Sequence, residues 1–218
     1  MSVRMMHIGT YEGQVGKYVI LPERQEDAAQ IALRLSSAAE VAFNREFRTF
    51  TGEIHGTAVS VTSSGIGGPS VAIAAEELRQ CGAQVIIRVT FDGEGLIIPN
   101  GAVAAEGVSR HYVPVEFPPV PDLQLVELLV SSAPCPSRTG VSVTVPHKCA
   151  PGRPMYKAYK ERMEIYRKGG ALITEYGDAA LFSVGRCLGM RVASVHGKES
   201  VDCVLKALER LVDDEHTC

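Results

Sequence analysis

The segment Ser63-Ser64-Gly65-Ile66-Gly67-Gly68-Pro69-Ser70 joins an apolar run, residues 57–62, to a run with helical spacing, residues 69–80. Glycine gives a tight turn the backbone freedom that it needs, and proline is well placed in the first turn of a helix. The apolar run 85–89 follows soon after and predicts a buried strand. This succession of strand, turn, helix and strand predicts an α/β domain around a largely parallel or mixed sheet.

Strand and helix patterns continue on both sides of this segment. Short apolar runs bounded by turn residues predict buried strands, and apolar residues three or four positions apart predict helices. Strands are expected at residues 17–21, 141–145 and 191–195, and helices at residues 25–35, 123–130, 156–168, 179–188 and 201–212. No linker, internal repeat or low-complexity tract interrupts the pattern, so residues 1–218 are expected to form one domain.

The composition argues against several classes of function. The net charge of −3 gives no basic field for nucleic acid or anionic lipid, and no apolar run reaches the length of a transmembrane helix. The first residues lack a secretory apolar core, so an intracellular and cytoplasmic protein is expected, with an organellar location left open. The six cysteines are expected to be reduced thiols, and His147-Lys148-Cys149 lacks a second ligand pair, so no metal site is expected.

Several short motifs occur in a fixed order along the chain: His7-Ile8-Gly9, Asn44-Arg45-Glu46-Phe47, the glycine-rich turn quoted above and Glu116-Phe117-Pro118. In these motifs the chain resembles the nucleoside phosphorylases, most closely the uridine phosphorylase branch. The resemblance is strong from His7 to about Asp122 and weaker beyond it. It implies a three-layer α/β/α sandwich with a central mixed sheet, assembled as dimers or dimer-based hexamers. It also implies phosphorolysis, in which phosphate attacks the anomeric carbon of a nucleoside and the base leaves.

Four residues match functional positions of that family. The resemblance makes Arg45 and Arg88 phosphate-binding residues, His7 a contact of the ribose 5′-hydroxyl and Glu175 the first carboxylate of the ribose-binding segment. In this branch the residues at positions 7 and 45 reach into the site of a neighbouring subunit. Structural alternatives stay open, with Arg45 as a surface or interface residue and Glu175 as a helix cap.

The phosphate-binding positions depart from the family pattern. The resemblance places Glu23 where the family has a phosphate-binding glycine, Asp27 where it has an arginine and Phe91 where it has a threonine. A carboxylate ~5 Å from phosphate raises the free energy by roughly 3 kcal/mol at an effective dielectric of ~20. Arg88 lies on a buried strand and needs an anionic partner, so Glu23 or Asp27 is expected to pair with it.

The ribose- and base-binding positions also depart from the pattern. Gly177 stands where the resemblance requires the second ribose-binding carboxylate, and the neighbouring Asp178 is expected to point elsewhere. Arg153 and Met155 fall on the segment where the family carries a planar glutamine and arginine pair for the base. The family loop that closes over the base after the last strand is missing.

These departures predict a uridine-phosphorylase-like protein whose own pocket is inactive. Its expected role is that of a subunit or structural component of a homo- or hetero-oligomer, built through the family dimer surface, in which it lends His7 and Arg45 to an active paralog. A divergent active nucleoside phosphorylase or a nucleosidase is one alternative, and a nucleoside-binding sensor is another. No cofactor is expected, and phosphate is a co-substrate only in the active alternative.

Overall fold

Nine strands and six α-helices occur within residues 3–217, which are the residues that the computed structural model describes. The strands are β1 (Tyr18–Pro22), β2 (Ser36–Asn44), β3 (Phe47–Ile54), β4 (Thr57–Thr62), β5 (Val85–Thr90), β6 (Leu96–Ala104), β7 (Ser137–Thr144), β8 (Ala171–Glu175) and β9 (Arg191–His196). The helices are α1 (Gln25–Ala32), α2 (Gly68–Gln80), α3 (Leu123–Ser132), α4 (Tyr156–Lys168), α5 (Asp178–Cys187) and α6 (Ser200–Thr217). A short 3₁₀ helix, Ser109–His111, lies between β6 and α3.

The strands form one mixed sheet in the order β2-β3-β4-β1-β5-β9-β6-β7-β8. Strands β4, β1, β5 and β9 are parallel, so the carboxyl ends of β1, β5 and β9 meet at one edge of the sheet. Strands β2 and β3 form an antiparallel hairpin that ends the sheet on one side, and β6 pairs antiparallel with β9. The predicted mixed sheet is confirmed.

Helices cover both faces of the sheet. Helices α1, α3 and α6 pack their apolar sides against one face, and this core includes Ile31, Leu129 and Leu208. Helices α2 and α5 pack against the other face, where Leu78 and Phe182 are buried. The predicted α/β/α sandwich is therefore confirmed, and α5 brings its amino-terminal end to the central strands.

Four strands were not predicted, and one helix is shorter than predicted. Strands β2, β3, β6 and β8 had no assignment, and the helix expected at residues 25–35 ends at Ala32. Strand β2 contains two register shifts and β6 contains one, and such bulges break the alternation of side chains on which strand prediction depends. Leu35 lies beyond α1 but remains buried in the same core, which explains why the apolar pattern runs past the helix end.

None of the helices within residues 3–217 combines the length and the apolar character needed to cross a membrane.

Candidate active site

A buried arginine on a central strand organises the candidate site. Arg88 lies on β5, its side chain is fully buried, and three carboxylates surround its guanidinium group. Nη1 donates to Asp178 Oδ1 at 2.8 Å and to Glu175 Oε2 at 3.1 Å, and Nη2 donates to Glu23. The prediction that Arg88 pairs with Glu23 or Asp27 is confirmed for Glu23. Asp178, which was expected to point elsewhere, is a second partner, so that expectation was wrong.

Glu175 caps the helix that follows it. It ends β8 and accepts hydrogen bonds from the backbone N–H groups of Gly177 at 2.5 Å and Asp178 at 2.9 Å, while Thr144 donates its hydroxyl to the other oxygen. Free N–H groups at a helix amino terminus favour a carboxylate partner. Burial and the neighbouring charge of Asp178 nevertheless raise the pKa of Glu175. Both of its oxygens are therefore occupied within the protein, as the helix-cap alternative anticipated.

A chain of hydrogen bonds continues from Asp178 through a histidine. Asp178 Oδ2 lies 2.8 Å from His196 Nε2, and His196 Nδ1 lies 2.7 Å from the Thr90 hydroxyl. All three residues are buried, and Thr90 and His196 are direct neighbours across β5 and β9. Burial acts to raise the pKa of Asp178, but its interaction with His196 and the charge of Arg88 outweigh burial and hold that pKa well below its usual value. Asp178 is thus ionised, and it joins Arg88 to this chain.

Gly177 leaves no room for a side chain. A Cβ atom built on Gly177 would lie 2.8 Å from Val71 Cγ2 and 2.9 Å from Arg88 Nε. Real Cβ atoms essentially never approach other heavy atoms this closely. Glycine supplies no carboxylate at position 177, where the resemblance requires one. The guanidinium group of Arg88 occupies the space that a side chain there would need.

A polar cleft of about 270 Å³ lies at the carboxyl ends of β1 and β5. Three acidic residues, Glu23, Asp27 and Asp92, line it. Arg24 also lines it, but its guanidinium group already binds both oxygens of Asp27 at 2.7 and 2.8 Å. Phe91 forms part of the wall and is partly exposed. The cleft that the resemblance assigns to phosphate thus has an acidic lining whose exposed arginine is paired.

His7 and Arg45 lie on two neighbouring segments that the side chain of Asn44 joins. The carboxylate of Glu77 holds His7 in place. It accepts hydrogen bonds from the backbone N–H groups of His7 and Ile8, and its Oε1 lies 2.7 Å from His7 Nδ1. Asn44 donates its side-chain amide to the carbonyl of His7 at 2.8 Å. Arg45 follows Asn44 in the exposed turn between β2 and β3 and has a φ of 54°. Within residues 3–217 neither side chain bonds to the Arg88 network.

The residues expected at the base-binding positions are exposed. Arg153 and Met155 lie in the loop before α4, and Met155 lines a cleft of about 190 Å³ beneath that helix together with Tyr159 and Met163. The structure does not place Arg153 or Met155 with the Arg88 network. Across residues 3–217, histidine, cysteine and acidic side chains form no cluster of three or more suited to a metal ion.

Sequence reasoning missed three members of the network: Asp178, His196 and Thr144. Two signals were present in the sequence, because Asp178 opens a helix directly after a short strand and His196 ends an apolar strand. A charged residue at such an element boundary often serves a site at the sheet edge. Thr144 gave no comparable signal.

Comparisons with known proteins agree with this architecture. Residues 17–198 match the family described as the Phosphorylase superfamily. A uridine phosphorylase of Thermococcus kodakarensis is 45% identical over 135 residues, covering 58% of this chain and 49% of that protein. A uridine phosphorylase of Treponema pallidum is 43% identical over 135 residues, covering 58% of this chain and 52% of that protein. A uridine phosphorylase of Salmonella typhimurium is 30% identical over 213 residues, covering 88% of this chain and 84% of that protein. The chain thus spans about half the length of the first two relatives.

Proposed function

This chain belongs to the phosphorylase superfamily, and we propose that it is a uridine-phosphorylase-like protein whose own pocket does not carry out phosphorolysis. The observation that carries the proposal is that Glu23, Glu175 and Asp178 bind both Nη groups of Arg88, although its buried Nε has no hydrogen-bond partner among the described residues. A phosphate-binding arginine must offer its donors to the ligand. Both Nη groups of Arg88 instead bind carboxylates of the protein.

The charge around the cleft supports the same proposal. Glu23, Asp27 and Asp92 face the space where phosphate would enter, and Asp27 holds the exposed Arg24. Asp92 lies 3.8 Å from Lys148 Nζ, and Glu23 is bound to Arg88, so each of the three carboxylates already has a cationic partner within the protein. Those cations are therefore not free to bind phosphate. Phosphate binding at this edge would therefore require Glu23 to leave Arg88.

The ribose-binding side lacks the groups that the reaction requires. Positive charge develops on the sugar as the base leaves, and fixed negative groups must face it in the transition state. Gly177 provides no such group, and both oxygens of Glu175 are held by Arg88, Thr144 and the start of α5. The chain accordingly has no free carboxylate at the two positions that the family uses.

Catalytic turnover is expected to be absent. Purified protein should release no base from uridine or guanosine in the presence of phosphate, and it should release none when phosphate is omitted. Turnover above roughly 0.1 per second would overturn the proposal, since enzymes typically work at about 1 to 1,000 per second. Activity only with phosphate would identify a phosphorylase, and activity without it a nucleosidase. Tight binding of uridine without turnover would favour a sensor.

We further propose that the chain acts as a subunit through the surface formed by residues 3–7 and 43–45, here called the N-terminal face. Met6 is 80% exposed and Phe43 is 57% exposed, and both lie beside residues that this family branch uses across its dimer interface. The adjoining strand β2 is an edge strand of nine residues, most of them exposed. An exposed apolar patch beside an edge strand is a candidate surface for a partner.

Substitution at this face is expected to break the assembly. Wild-type protein should sediment as a species larger than its 23.4 kDa chain, or co-purify from its native cell with another subunit. Phe43→Glu should shift it to the monomer, because a charge replaces an apolar side chain in the interface. Leu33→Glu is the matched control. Leu33 is 77% exposed at the end of α1, in the helical layer that also contains α6, and it is not part of the N-terminal face. A monomeric wild-type protein without a co-purifying subunit would overturn this part of the proposal.

A further inference from the structure

A second concave site lies at the amino-terminal ends of the parallel strands, opposite the acidic cleft. Lys17 precedes β1, Gln84 precedes β5 and Arg191 begins β9, and all three line a cleft of about 380 Å³. Arg79, from the last turn of α2, and Glu215, from α6, complete its walls. This volume falls within the range of about 300–1,000 Å³ that is usual for small-molecule sites.

Cationic groups predominate in this amino-terminal cleft. Lys17, Arg79 and Arg191 face it, and Glu215 is the one carboxylate among its lining residues, where it pairs with Lys17. A second carboxylate, Asp122, binds Arg191 Nη2 at 3.2 Å from the α3 side. The three cations outnumber these two carboxylates, although the chain as a whole carries a net charge of −3. The local charge therefore favours an anionic ligand.

Donors in the cleft are left without partners. Arg191 Nε is buried, and within the described structure it has no hydrogen-bond partner. Arg79 is exposed, and it uses its Nε to bind the carbonyl of Leu188 at 3.2 Å, so within residues 3–217 its two Nη groups remain available to a ligand. A buried donor without a partner is unfavourable, and a ligand that accepts its hydrogen bond removes that penalty. An anion bound between Arg79 and Arg191 would satisfy both side chains.

We propose that the amino-terminal cleft binds a small phosphomonoester. Guanidinium groups recognise phosphate oxygens with paired hydrogen bonds, and the three cations of this cleft exceed its two neighbouring carboxylates by one charge. Gln84 and Glu215 offer an amide and a carboxylate that can bind the hydroxyl groups of an attached sugar. None of these residues belongs to the Arg88 network, so the proposal is independent of the proposed function. An inorganic phosphate ion would use the same arginines without the sugar contacts.

Titration calorimetry with ribose 5-phosphate, inorganic phosphate and ribose tests this proposal. Ribose 5-phosphate is expected to bind saturably at a single site, and ribose is expected not to bind. Arg191→Gln and Arg79→Gln should each weaken binding at least tenfold. Arg110→Gln is the control, since Arg110 is exposed near the 3₁₀ helix and does not line the cleft. The unfolding midpoint of each variant, measured in parallel, separates lost binding from lost folding, and Arg79→Gln retains the Arg191–Asp122 ion pair.

The outcomes separate the ligand sources. Tighter binding of ribose 5-phosphate than of inorganic phosphate, lost in both arginine variants, supports a phosphomonoester site. Equal binding of the two ligands overturns the phosphomonoester assignment and leaves a site for phosphate alone. Absence of saturable binding, or binding that both arginine variants retain, overturns the proposal. Because no base release is measured, these outcomes do not depend on whether the Arg88 pocket is active.

Discussion

Replacement of Arg88 by methionine is expected to lower the free energy of unfolding by about 3–5 kcal/mol. Methionine fills a similar volume, so the loss comes mainly from charge rather than from a cavity. Removal of the guanidinium group leaves Glu23, Glu175 and Asp178 without their shared cation in a buried setting. Since domains of this kind are stable by about 5–15 kcal/mol, the variant should unfold at a much lower urea concentration.

A compensating variant tests whether the carboxylates cause this loss. Among the described residues, the side chain of Glu23 has only Arg88 as a partner. Glu23→Gln combined with Arg88→Met should therefore recover part of the lost stability, with a coupling energy of about 1 kcal/mol or more in a double-mutant cycle. Arg24→Met is the matched control, because its ion pair with Asp27 is exposed to solvent and contributes little to stability.

The result distinguishes a structural arginine from a ligand-binding one. An arginine kept free for phosphate would leave the protein as stable or more stable when it is removed, because its own burial is unfavourable without the ligand. A loss below about 1 kcal/mol for Arg88→Met would thus contradict the ion-pair network and weaken the proposal of an inactive pocket. If Arg88→Met lowers the free energy of unfolding by no more than Arg24→Met does, the ion-pair network is contradicted in the same way.

Local chemistry made part of this network predictable from the sequence. A buried strand that contains one arginine requires an anionic partner, and Glu23 follows the neighbouring parallel strand β1. Since parallel strands end at the same edge of a sheet, the Glu23–Arg88 pair could be expected. Asp27, the alternative partner, is instead bound by Arg24, three residues away on the chain.

The contribution of Asp178 depends on long-range geometry that the sequence does not contain. It lies 90 residues from Arg88 and is the first residue of α5. Side chains in the first turn of a helix lean back toward its amino terminus, so Asp178 points at the same space as the end of β8. The prediction treated Asp178 as a neighbour of Gly177 on the chain, but the helix start directs it toward Arg88.

The unpredicted strands have a similar explanation. Strand β2 pairs with β3 through two register shifts, so its exposed and buried residues do not alternate in the sequence. Strand β6 contains Pro99 and Gly101 at a bulge, and both residue types argue against a strand when the sequence is read alone. Tertiary pairing outweighs local preference in these segments. The resemblance to a family could imply the sandwich, but residue patterns alone could not locate these strands.

Restoring the missing ribose carboxylate by Gly177→Glu is expected to destabilise the protein without creating turnover. The new Cβ would lie 2.8 Å from Val71 Cγ2 and 2.9 Å from Arg88 Nε, and overpacking of this kind costs about 1–3 kcal/mol. The added carboxylate would also be a fourth anion around Arg88, whose Nη groups are already bound and whose Nε alone has no partner among the described residues. Urea unfolding and the uridine phosphorolysis assay measure the two effects.

Alanine at the same position separates the steric effect from the charge. Gly177 has a φ of −145°, outside the left-handed region, so Gly177→Ala tests contact rather than backbone strain. It should cost about 1–3 kcal/mol, whereas Gly107→Ala, where no heavy atom lies within 4 Å of the new Cβ, should change stability by no more than about 0.5 kcal/mol. If Gly177→Glu is as stable as the wild type and releases uracil from uridine, then Arg88 and its carboxylates can separate to admit substrate. The pocket would then lack one carboxylate rather than be closed by an ion-pair network.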